Sequence, residues 1–336
     1  YSKMGYKVGL LSTVENKIGD EIIPATHTTP NAIALNELLA RMLDEGCDYA
    51  FMEASSHAIH QRRTYGLDFD GAIFTNLSHD HLDYHKTFKE YLNAKKLLFD
   101  ELPKHAFSLV NSDEKNGIII PQNTKAKKYT YALKSDADFT IKILETDFSG
   151  MMVSIDGTEI YTKLIGDFNA YNLLSVYASA MLLDADKTEV LVALSALTGA
   201  EGRFEYLLSP EQNIVAIVDY AHTPDALKNV LETINKIKKA DQQVLTVVGC
   251  GGDRDVSKRP LMSAVACKMS DKVILTSDNP RTEVPEDIIK EMQAGVDIAN
   301  RRKVLSITDR AEAIKSACML SNENDSILIA GKGHEK

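Results

Sequence analysis

Histidine and aspartate side chains crowd one short stretch of the chain, and their chemistry is that of metal ligands. The run from His79 to His85 contains His79, Asp80, His81, Asp83 and His85, and imidazole and carboxylate commonly bind metal ions. A solvated polar turn is the ordinary alternative. A zinc hydrolase is another, although the last histidine falls one position too late for HxHxDH spacing. A hard-ion site fits better, in which Glu53 and His81 lie close in space and hold Mg²⁺ beside nucleotide phosphates.

Glycines and arginines mark a second place where chemistry is expected. The glycines of Gly249–Asp253 would let backbone N–H groups approach an anion closely, as in a phosphate-binding loop. The run lacks the full GxGxxG pattern, so a dinucleotide-binding fold is not predicted. Arg254 and Arg281 offer planar forks suited to carboxylates, with ordinary surface salt bridges as the alternative.

Three further polar residues carry no functional meaning from spacing alone. Lys95 lies in Tyr91–Phe99, an amphipathic helical stretch in which a solvated lysine is the default interpretation. Asn169 and Asn172 are by default a helix cap and a surface amide.

Most of these residues directly follow predicted β-strands, and open α/β sheets bind ligands outside the carboxyl ends of their strands. The polar strand ends are Glu53–His57, Asn76–His81, Asp219–His222, Gly249–Arg254, Asp278–Arg281 and Gly331–Glu335. Because they come from two predicted domains, they indicate a site in the cleft between those domains.

The first part of the chain alternates short apolar strands with helix-period segments. Thr29-Pro30 is predicted to cap and begin a helix that ends near Gly46. Strands at Tyr49–Met52 and Ala72–Thr75 then give a βαβ pattern, which predicts a parallel sheet covered by helices. Alternating residues from about Phe139 to Leu164, around an Asp156-Gly157 turn, predict an antiparallel hairpin.

After about Ala200 the alternation becomes very regular, as is typical of a doubly wound, Rossmann-like domain. The predicted strands there are 214–218, 244–248, 273–276, 304–307 and 327–330, and the predicted helices are 224–237, 260–269, 285–299 and 310–320. The fold class is therefore α/β. We predict a mostly parallel domain with a hairpin region over residues 1–200 and a doubly wound domain over residues 201–336.

Composition excludes several classes of protein. The formal net charge of −10 argues against a nucleic-acid-binding protein that relies on a basic surface. No apolar stretch approaches the ~20 residues of a membrane helix. The four cysteines, with no disulfide framework, metal-knuckle spacing or signal-peptide pattern, favour a reducing, cytoplasmic compartment.

Ten motifs occur in a fixed order along essentially the whole chain: "THTTPNA", "MEASSHAIHQRR", "FTNLSHDHLDYH", "YLNAKKLLF", "GDFNAYN", "GRFE", "DYAHTPDA", "GCGGDRDVSKRPLM", "DNPRTEVP" and "AGKGHE". Together they resemble the Mur ligase family, and "DYAHTPDA" with "GCGGDRD" is the most specific pair. The resemblance implies a central Mur-ligase ATP-binding domain, residues 1–200, and a C-terminal amino-acid-binding domain, residues 201–336.

The resemblance also implies an ATP-dependent ligase of peptidoglycan synthesis. The terminal carboxylate of UDP-N-acetylmuramoyl-L-alanyl-D-glutamate would be phosphorylated to an acyl phosphate. The amine of the incoming amino acid would then attack, and phosphate would leave. Metal ions and cations are needed because two anions must be brought together.

Site residues are implied by match to the family's motifs. The implied Mg²⁺ ligands are Glu53, His81 and a carbamylated Lys95, and the implied catalytic residues are Lys95, His222 and Arg203. On the nucleotide side of the cleft stand Asn169, Asn172, Arg203, Asp219 and Tyr220. The UDP-muramoyl peptide would be held by Thr28, Thr29, Ser55, Gln61 and Arg63. The pocket for the incoming amino acid would contain Arg254, Asp278, Asn279, Arg281, Gly331 and Glu335.

The motif "DNPR" bears on which amino acid is added. In this family an arginine at its fourth position, here Arg281, goes with meso-diaminopimelate, whose distal carboxylate it can pair bidentately. L-lysine lacks that carboxylate, so the pocket is expected to reject it by several kcal/mol.

The chain departs from the family pattern by an absence. Members carry a glycine-rich loop ending in Gly-Lys-Thr before the first motif, and this sequence contains no GxxxxGK[ST]. Lys332 follows the last strand and cannot replace it. A small domain that grips the uridine nucleotide is also missing, so we expect a fragment that is inactive alone.

Other functions stay open at this point. Related ligases that add L-lysine, glutamate to folate, or the amino acids of cyanophycin share the architecture. A metal-dependent hydrolase using the cluster from His79 to His85 is more remote, as is a non-catalytic binding module. The expected partners are small molecules only, without nucleic acid or membrane, and the expected state is a monomer.

Overall fold

The computed structural model describes residues 1–78 and 80–335, which form three β-sheets with helices packed against them. The first sheet contains β1 (Val8–Leu11), β2 (Glu15–Ile18), β3 (Glu21–Pro24) and β4 (Tyr49–Met52). Its order is β3-β2-β1-β4, and β1 and β4 are parallel. Helix α1 (Ala32–Asp44) packs on this sheet through Leu35 and Met42.

The second sheet has six strands and carries the hairpin. They are β5 (Gly71–Phe74), β6 (Phe107–Asn111), β7 (Lys127–Ala132), β8 (Phe139–Asp147), β9 (Gly150–Ile155) and β10 (Thr158–Thr162). Strands β5 to β8 are parallel and β8 to β10 antiparallel. The nearby helices are α2 (Ser56–His60), α3 (Leu82–His85), α4 (Phe88–Asp100), α5 (Asp167–Leu182) and α6 (Lys187–Ser195).

The hairpin prediction is confirmed, and its turn explains why it was visible in the sequence. Asp156 and Gly157 join β9 to β10 with φ of 45° and 79°. Two successive positive φ angles match the twist of antiparallel strands, and Asp-Gly adopts them readily.

The predicted parallel pairing is only partly right. The strands near 49–52 and 72–75 both form, but β4 pairs with β1 and β5 pairs with β6, so they belong to different sheets. Parallel neighbours are joined by long crossovers rather than tight turns, so the local sequence does not show which two strands pair in the sheet.

The first helix begins two residues later than predicted. Asn31 is its N-cap, and the Asn31 side chain accepts from the N–H groups of Ile33 and Ala34. Thr29, the predicted cap, is instead buried and donates its hydroxyl to the carbonyl of Glu53 at 2.7 Å. The prediction was wrong because the threonine had a tertiary partner.

The third sheet is doubly wound, as predicted. Its strands are β11 (Glu205–Leu208), β12 (Val215–Asp219), β13 (Val244–Val248), β14 (Lys272–Leu275), β15 (Val304–Ser306) and β16 (Ser326–Ala330). The order is β11-β12-β16-β13-β14-β15, and only β11 is antiparallel to its neighbour. The helices are α7 (Pro224–Ile237), α8 (Lys258–Met269), α9 (Pro285–Gln293) and α10 (Arg310–Leu320).

Helix α9 is shorter than the predicted 285–299. Gly295 lies so close to the carbonyl of Pro260 that an added Cβ would be 1.8 Å from that oxygen. The chain then continues as a 3-10 helix, Ile298–Lys303. Contact with α8 therefore ends the helix where propensity alone would continue it.

The two parts of the chain share contacts beside the linker. Ile165, just before α5, belongs to the hydrophobic core of the third sheet. Lys236 of α7 donates to Asp167 of α5 at 2.8 Å. No helix formed by residues 1–78 or 80–335 is long and apolar enough to cross a membrane.

Candidate active site

Charged residues from two sheets face each other where β5 and β12 end. His222, after β12, places Nε2 3.6 Å from the carboxylate of Asp80, which follows β5. Burial raises the pKa of Asp80, but the His222 interaction and the charges of His81 and Lys258 outweigh it and hold that pKa below its ordinary value. Residues of the two predicted domains therefore meet at these strand ends, and the ligand site expected there stays a prediction.

Glu53 follows β4 and is held by threonines. Its carboxylate accepts from both the backbone N–H and the hydroxyl of Thr13, and the Thr13 hydroxyl lies 3.1 Å from that of Thr28, from which it can accept. Thr29 bonds the carbonyl of Glu53 and accepts from the N–H of Ser55 at 3.1 Å. These bonds tie Thr28, Thr29 and Ser55 to Glu53.

Arg63 joins the same network from the turn after α2. Its Nη1 donates to the carbonyl of Thr29 at 2.8 Å, and its Nε and Nη2 donate to the amide oxygen of Gln61 at 3.0 and 2.6 Å. The Gln61 amide donates in turn to Tyr84 at 3.2 Å. All five residues predicted to hold the muramoyl peptide are thus connected.

His81 and Lys95 lie in an aromatic environment. The His81 ring packs edge-on against His57 and Tyr91, and Lys95 Nζ lies 5.5 Å from the Tyr91 ring centroid. Burial lowers the pKa of Lys95 below its ordinary value, with the charge of Asp80 opposing the shift. Burial also lowers the pKa of His81.

The predicted pairing of Glu53 with His81 stays a prediction. Within residues 1–78 and 80–335 no hydrogen bond joins these two side chains, and no group of three or more His, Cys, Asp or Glu is arranged to hold a metal. His79, part of the cluster behind the hydrolase alternative, lies outside the described residues.

The loop after β12 carries the residues predicted for the nucleotide side. Asp219 is buried, and its carboxylate accepts from the N–H groups of Phe204 and Ala221, both at 2.7 Å. The guanidinium of Arg203 lies 4.6 Å from the Tyr220 ring centroid, in cation–π geometry. His222 donates from Nδ1 to the carbonyl of Tyr220 at 2.9 Å.

Asn169 and Asn172 stand in the first turns of α5. Asn169 donates to the carbonyl of Ile165 at 2.9 Å and accepts from Asn172 at 3.3 Å. Gly166, not Asn169, is the N-cap of the helix. The assignment of the two asparagines to the nucleotide stays a prediction.

Residues predicted for the amino-acid pocket meet at the ends of β13, β14 and β16. Glu335 accepts from the hydroxyl of Tyr220 at 3.0 Å and from the amide of Asn279. Asp278 lies against Gly331, where an added Cβ would be 2.6 Å from its carboxylate, and the φ of 115° at Gly331 is one that other residues rarely adopt.

The two pocket arginines differ in their surroundings. Arg281 donates Nη1 to the carbonyl of Gly252 at 2.6 Å. Arg254 is exposed, yet its charge helps to lower the pKa of His57 and of His81 on the other side of the cleft. Arg254 therefore faces the metal-ligand candidates while Arg281 is fixed to the glycine loop.

Several residues of the site were missed by sequence reasoning. Lys258, Arg259 and Glu283 are charged, and the first two are buried. The available signal was their position, since Lys258 and Arg259 open the helix after the glycine run and Glu283 stands two residues after Arg281. Thr13 had no such signal, because it lies between β1 and β2, two strands that the sequence analysis did not predict.

Comparisons with known proteins agree with this architecture. The family described as Mur ligase middle domain matches residues 1–180, and the family described as Mur ligase, glutamate ligase domain matches residues 202–333. The chain is 58% identical over 335 residues to the UDP-N-acetylmuramoyl-L-alanyl-D-glutamate–2,6-diaminopimelate ligase of Cytophaga hutchinsonii. That match covers 100% of this chain and 68% of the relative.

Solved structures give the same result. A structure of UDP-N-acetylmuramoyl-L-alanyl-D-glutamate–2,6-diaminopimelate ligase is 35% identical with a TM-score of 0.68, covering 99% of this chain and 69% of that one. A folylpolyglutamate synthase of Mycobacterium tuberculosis complexed with ADP has the same fold, with 17% identity and a TM-score of 0.76. The match covers 98% of this chain and 82% of the synthase.

Proposed function

The chain belongs to the Mur ligase family, and from that premise we propose that it joins meso-diaminopimelate to UDP-N-acetylmuramoyl-L-alanyl-D-glutamate. The reaction is an ATP-dependent amide-bond formation. The main support is the 58% identity, over the whole chain, to a UDP-N-acetylmuramoyl-L-alanyl-D-glutamate–2,6-diaminopimelate ligase. The two arginines of the proposed amino-acid pocket, Arg254 and Arg281, agree with that substrate. We assign residues 1–200 to ATP and the muramoyl peptide and residues 201–336 to the amino acid.

The residues at the end of β4 and near α4 fit a magnesium site. Mg²⁺, when bound, offsets the negative charge of the phosphates that approach the substrate carboxylate. Glu53 offers an exposed carboxylate, and the lowered pKa of His81 keeps its imidazole neutral, the form that binds metal.

Lys95 fits the role of a carbamylated ligand on chemical grounds. Burial lowers its pKa, which favours the neutral amine, and only a neutral amine adds CO₂. The ammonium first loses one proton, and addition of the amine to CO₂ then forms an N–C bond, converts one C=O of CO₂ to a carboxylate oxygen and releases a second proton, so that a cation becomes an anion. That change suits a position beside a divalent metal and removes a buried positive charge.

Positive groups around the cleft hold the two reacting anions together. Arg203, fixed against the ring of Tyr220, has an exposed guanidinium that can pair with a phosphate. His222 points Nε2 toward the other side of the cleft and orients its ring through the carbonyl of Tyr220. These groups stabilise negative charge as the acyl phosphate forms and as phosphate leaves.

The amino-acid pocket explains a preference for meso-diaminopimelate. Its second amino-acid end carries a carboxylate, for which Arg254 and Arg281 present planar donors. Arg281 uses one donor for Gly252, which fixes its direction and leaves the others for the ligand. L-lysine has no carboxylate at that end, so an arginine would remain unpaired and lysine would be rejected by several kcal/mol.

The cellular setting follows from the same proposal. The cysteines Cys47, Cys250, Cys267 and Cys318 are all free thiols, which agrees with the cytoplasmic location that we assign. We expect small-molecule substrates and a monomer.

Product formation tests the proposed function. The native protein that contains this sequence is incubated with ATP, Mg²⁺, the muramoyl dipeptide and meso-diaminopimelate, and ADP and tripeptide are measured. We expect one ADP per tripeptide and none when either acceptor substrate is omitted. Tripeptide formation without ATP would contradict the proposal, and so would rapid ADP release that ignores both acceptors.

A further inference from the structure

The loops that carry the two pocket arginines are clasped to each other by reciprocal hydrogen bonds. The Glu283 carboxylate accepts from the backbone N–H of Asp253. The Asp253 carboxylate accepts from the N–H and the hydroxyl of Thr282 at 3.1 and 2.7 Å. Asp253 directly precedes Arg254, and Thr282 directly follows Arg281, so each arginine is one residue away from this clasp.

A buried arginine anchors the clasp from below. The side chain of Arg259 is 1% exposed and lies in the first turn of α8. It grips both oxygens of Glu283, with Nη1 at 2.8 Å and Nη2 at 2.7 Å, and Nη1 also donates to Glu291 of α9 at 2.7 Å. A bidentate pair of this kind fixes orientation as well as position.

The backbone of both loops needs such an anchor. Asp253 and Arg281 have φ of 52° and 50°, in the left-handed region that side chains other than glycine avoid. Strained conformations persist where the surroundings over-determine them. Gly252 completes the contact, because an added Cβ would lie 1.9 Å from the carbonyl of Pro280.

We propose that Arg259 and Glu283 are positioning residues for amino-acid recognition: they hold Arg254 and Arg281 at the spacing that a ligand with a second carboxylate requires. Neither residue contacts the substrate. Their role is to keep the two loops in one arrangement before the ligand arrives, so that binding does not have to order them. The inference rests on the proposed function, which supplies the amino acid.

Two glutamates that share Arg259 provide a matched test. Both carboxylate oxygens of Glu283 accept hydrogen bonds. In Glu283→Gln an NH₂ group replaces one of these oxygens and would face a donor, so at least one hydrogen bond is lost. Glu291 contacts Arg259 through one oxygen, and its side chain is 45% exposed, so Glu291→Gln can keep the bond. A merely structural role for Arg259 would make Glu283→Gln less stable than Glu291→Gln without a selective change in the KM for the amino acid.

The experiment compares steady-state kinetics of these variants in the native protein that contains the sequence. Glu283→Gln is expected to raise the KM for meso-diaminopimelate about 10-fold or more and to reduce the preference over L-lysine, with the KM for ATP unchanged. Glu291→Gln is expected to match wild type in all three. Thr282→Val loses only the hydroxyl bond to Asp253 and should raise the KM for meso-diaminopimelate by a smaller factor. This variant replaces Glu283→Gln in the test if Glu283→Gln does not fold.

The outcomes separate this inference from the function on which it rests. If wild-type protein does not ligate meso-diaminopimelate, the proposed function fails. If wild type is active and Glu283→Gln either matches it or weakens ATP and amino acid equally, the positioning role is wrong. Equal effects of Glu283→Gln and Glu291→Gln would also overturn it, as would a Thr282→Val protein identical to wild type when Glu283→Gln is unfolded.

Discussion

The two sides of the cleft hold their charged side chains by different means. On the side of the third sheet, Arg259 forms ion pairs with both Glu283 and Glu291. On the other side, Glu53 is held by the hydroxyl and N–H of Thr13, and Lys95 lies over the ring of Tyr91.

We propose that this difference separates the pocket for the amino acid from the charge centre for ATP and the muramoyl peptide. Paired charges satisfy one another, so their loops keep one shape in the absence of substrate. In the proposed reaction, Glu53 and Lys95 act on the metal ion and the phosphates. Specificity is therefore assigned to the first side and chemistry to the second.

Removing the ion pairs on the side of the third sheet gives the largest expected loss of unfolding free energy. Arg259→Met leaves Glu283 and Glu291 without their shared cation, and we expect unfolding free energy to fall by about 3 kcal/mol. Urea unfolding followed by circular dichroism measures this. Arg41→Met is the control, since Arg41 pairs with Glu21 and Glu45 on the surface and its loss should cost much less. Equal losses in the two variants would remove the distinction.

Breaking the charge centre should instead cost activity. Lys95→Ala is expected to lower kcat about 100-fold or more, because the ligand proposed for the metal is lost, while thermal stability stays near wild type. Lys89→Ala, an exposed lysine on the same helix, is the control. Added acetate should restore part of the activity of Lys95→Ala alone. Unchanged kcat in this variant would exclude Lys95 from the centre.

Replacing one arginine of the proposed pocket should weaken the binding of the amino acid but not that of ATP. Arg281→Ala removes donors to a carboxylate, and we expect the KM for meso-diaminopimelate to rise about 30-fold, or about 2 kcal/mol. The KM for ATP should not change. An unaltered KM for the amino acid would place Arg281 outside the pocket.

A carboxylate two residues after β6 sharpens the comparison by showing what neutral donors can do alone. Asp113 accepts from the N–H groups of Leu133 and Lys134 and from the hydroxyls of Ser135 and Tyr171. Burial raises its pKa, but these bonds outweigh it and lower the pKa to about 2.

The sign of the Asp113 effect follows from that direction. A folded pKa below the unfolded value of about 3.9 gives stability that is present above pH ~4 and is lost as pH falls through the folded value. Asp113→Asn should therefore be less stable than wild type at pH 7 by about 1 kcal/mol, and the gap should close toward pH 2. Urea midpoints measured from pH 7 to pH 3 check this, and a gap independent of pH would contradict it.

Local patterns predicted much of the third sheet. Helices 224–237 and 310–320 and strand 244–248 begin and end where predicted, because proline, aspartate and apolar periodicity act over a few residues. Strand β11 was missed because all four of its residues are exposed, so no buried alternation marks it.

The sequence alone did not show which distant residues contact each other in the fold. Thr29 looked like a helix cap until Glu53 was placed beside it, and the pairing of Arg259 with Glu283 joins residues 24 positions apart. The first pair depends on where β4 lies in its sheet, and the second depends on β13 and β14 being neighbours, neither of which spacing encodes. The roles assigned to the individual site residues remain predictions.

The most direct measurement is the kcat/KM of the native protein with meso-diaminopimelate and with L-lysine, each under saturating ATP and muramoyl dipeptide. The proposed pocket with its two arginines predicts a preference for meso-diaminopimelate of about 100-fold or more. Equal efficiency with the two amino acids, or a preference for L-lysine, would contradict the account.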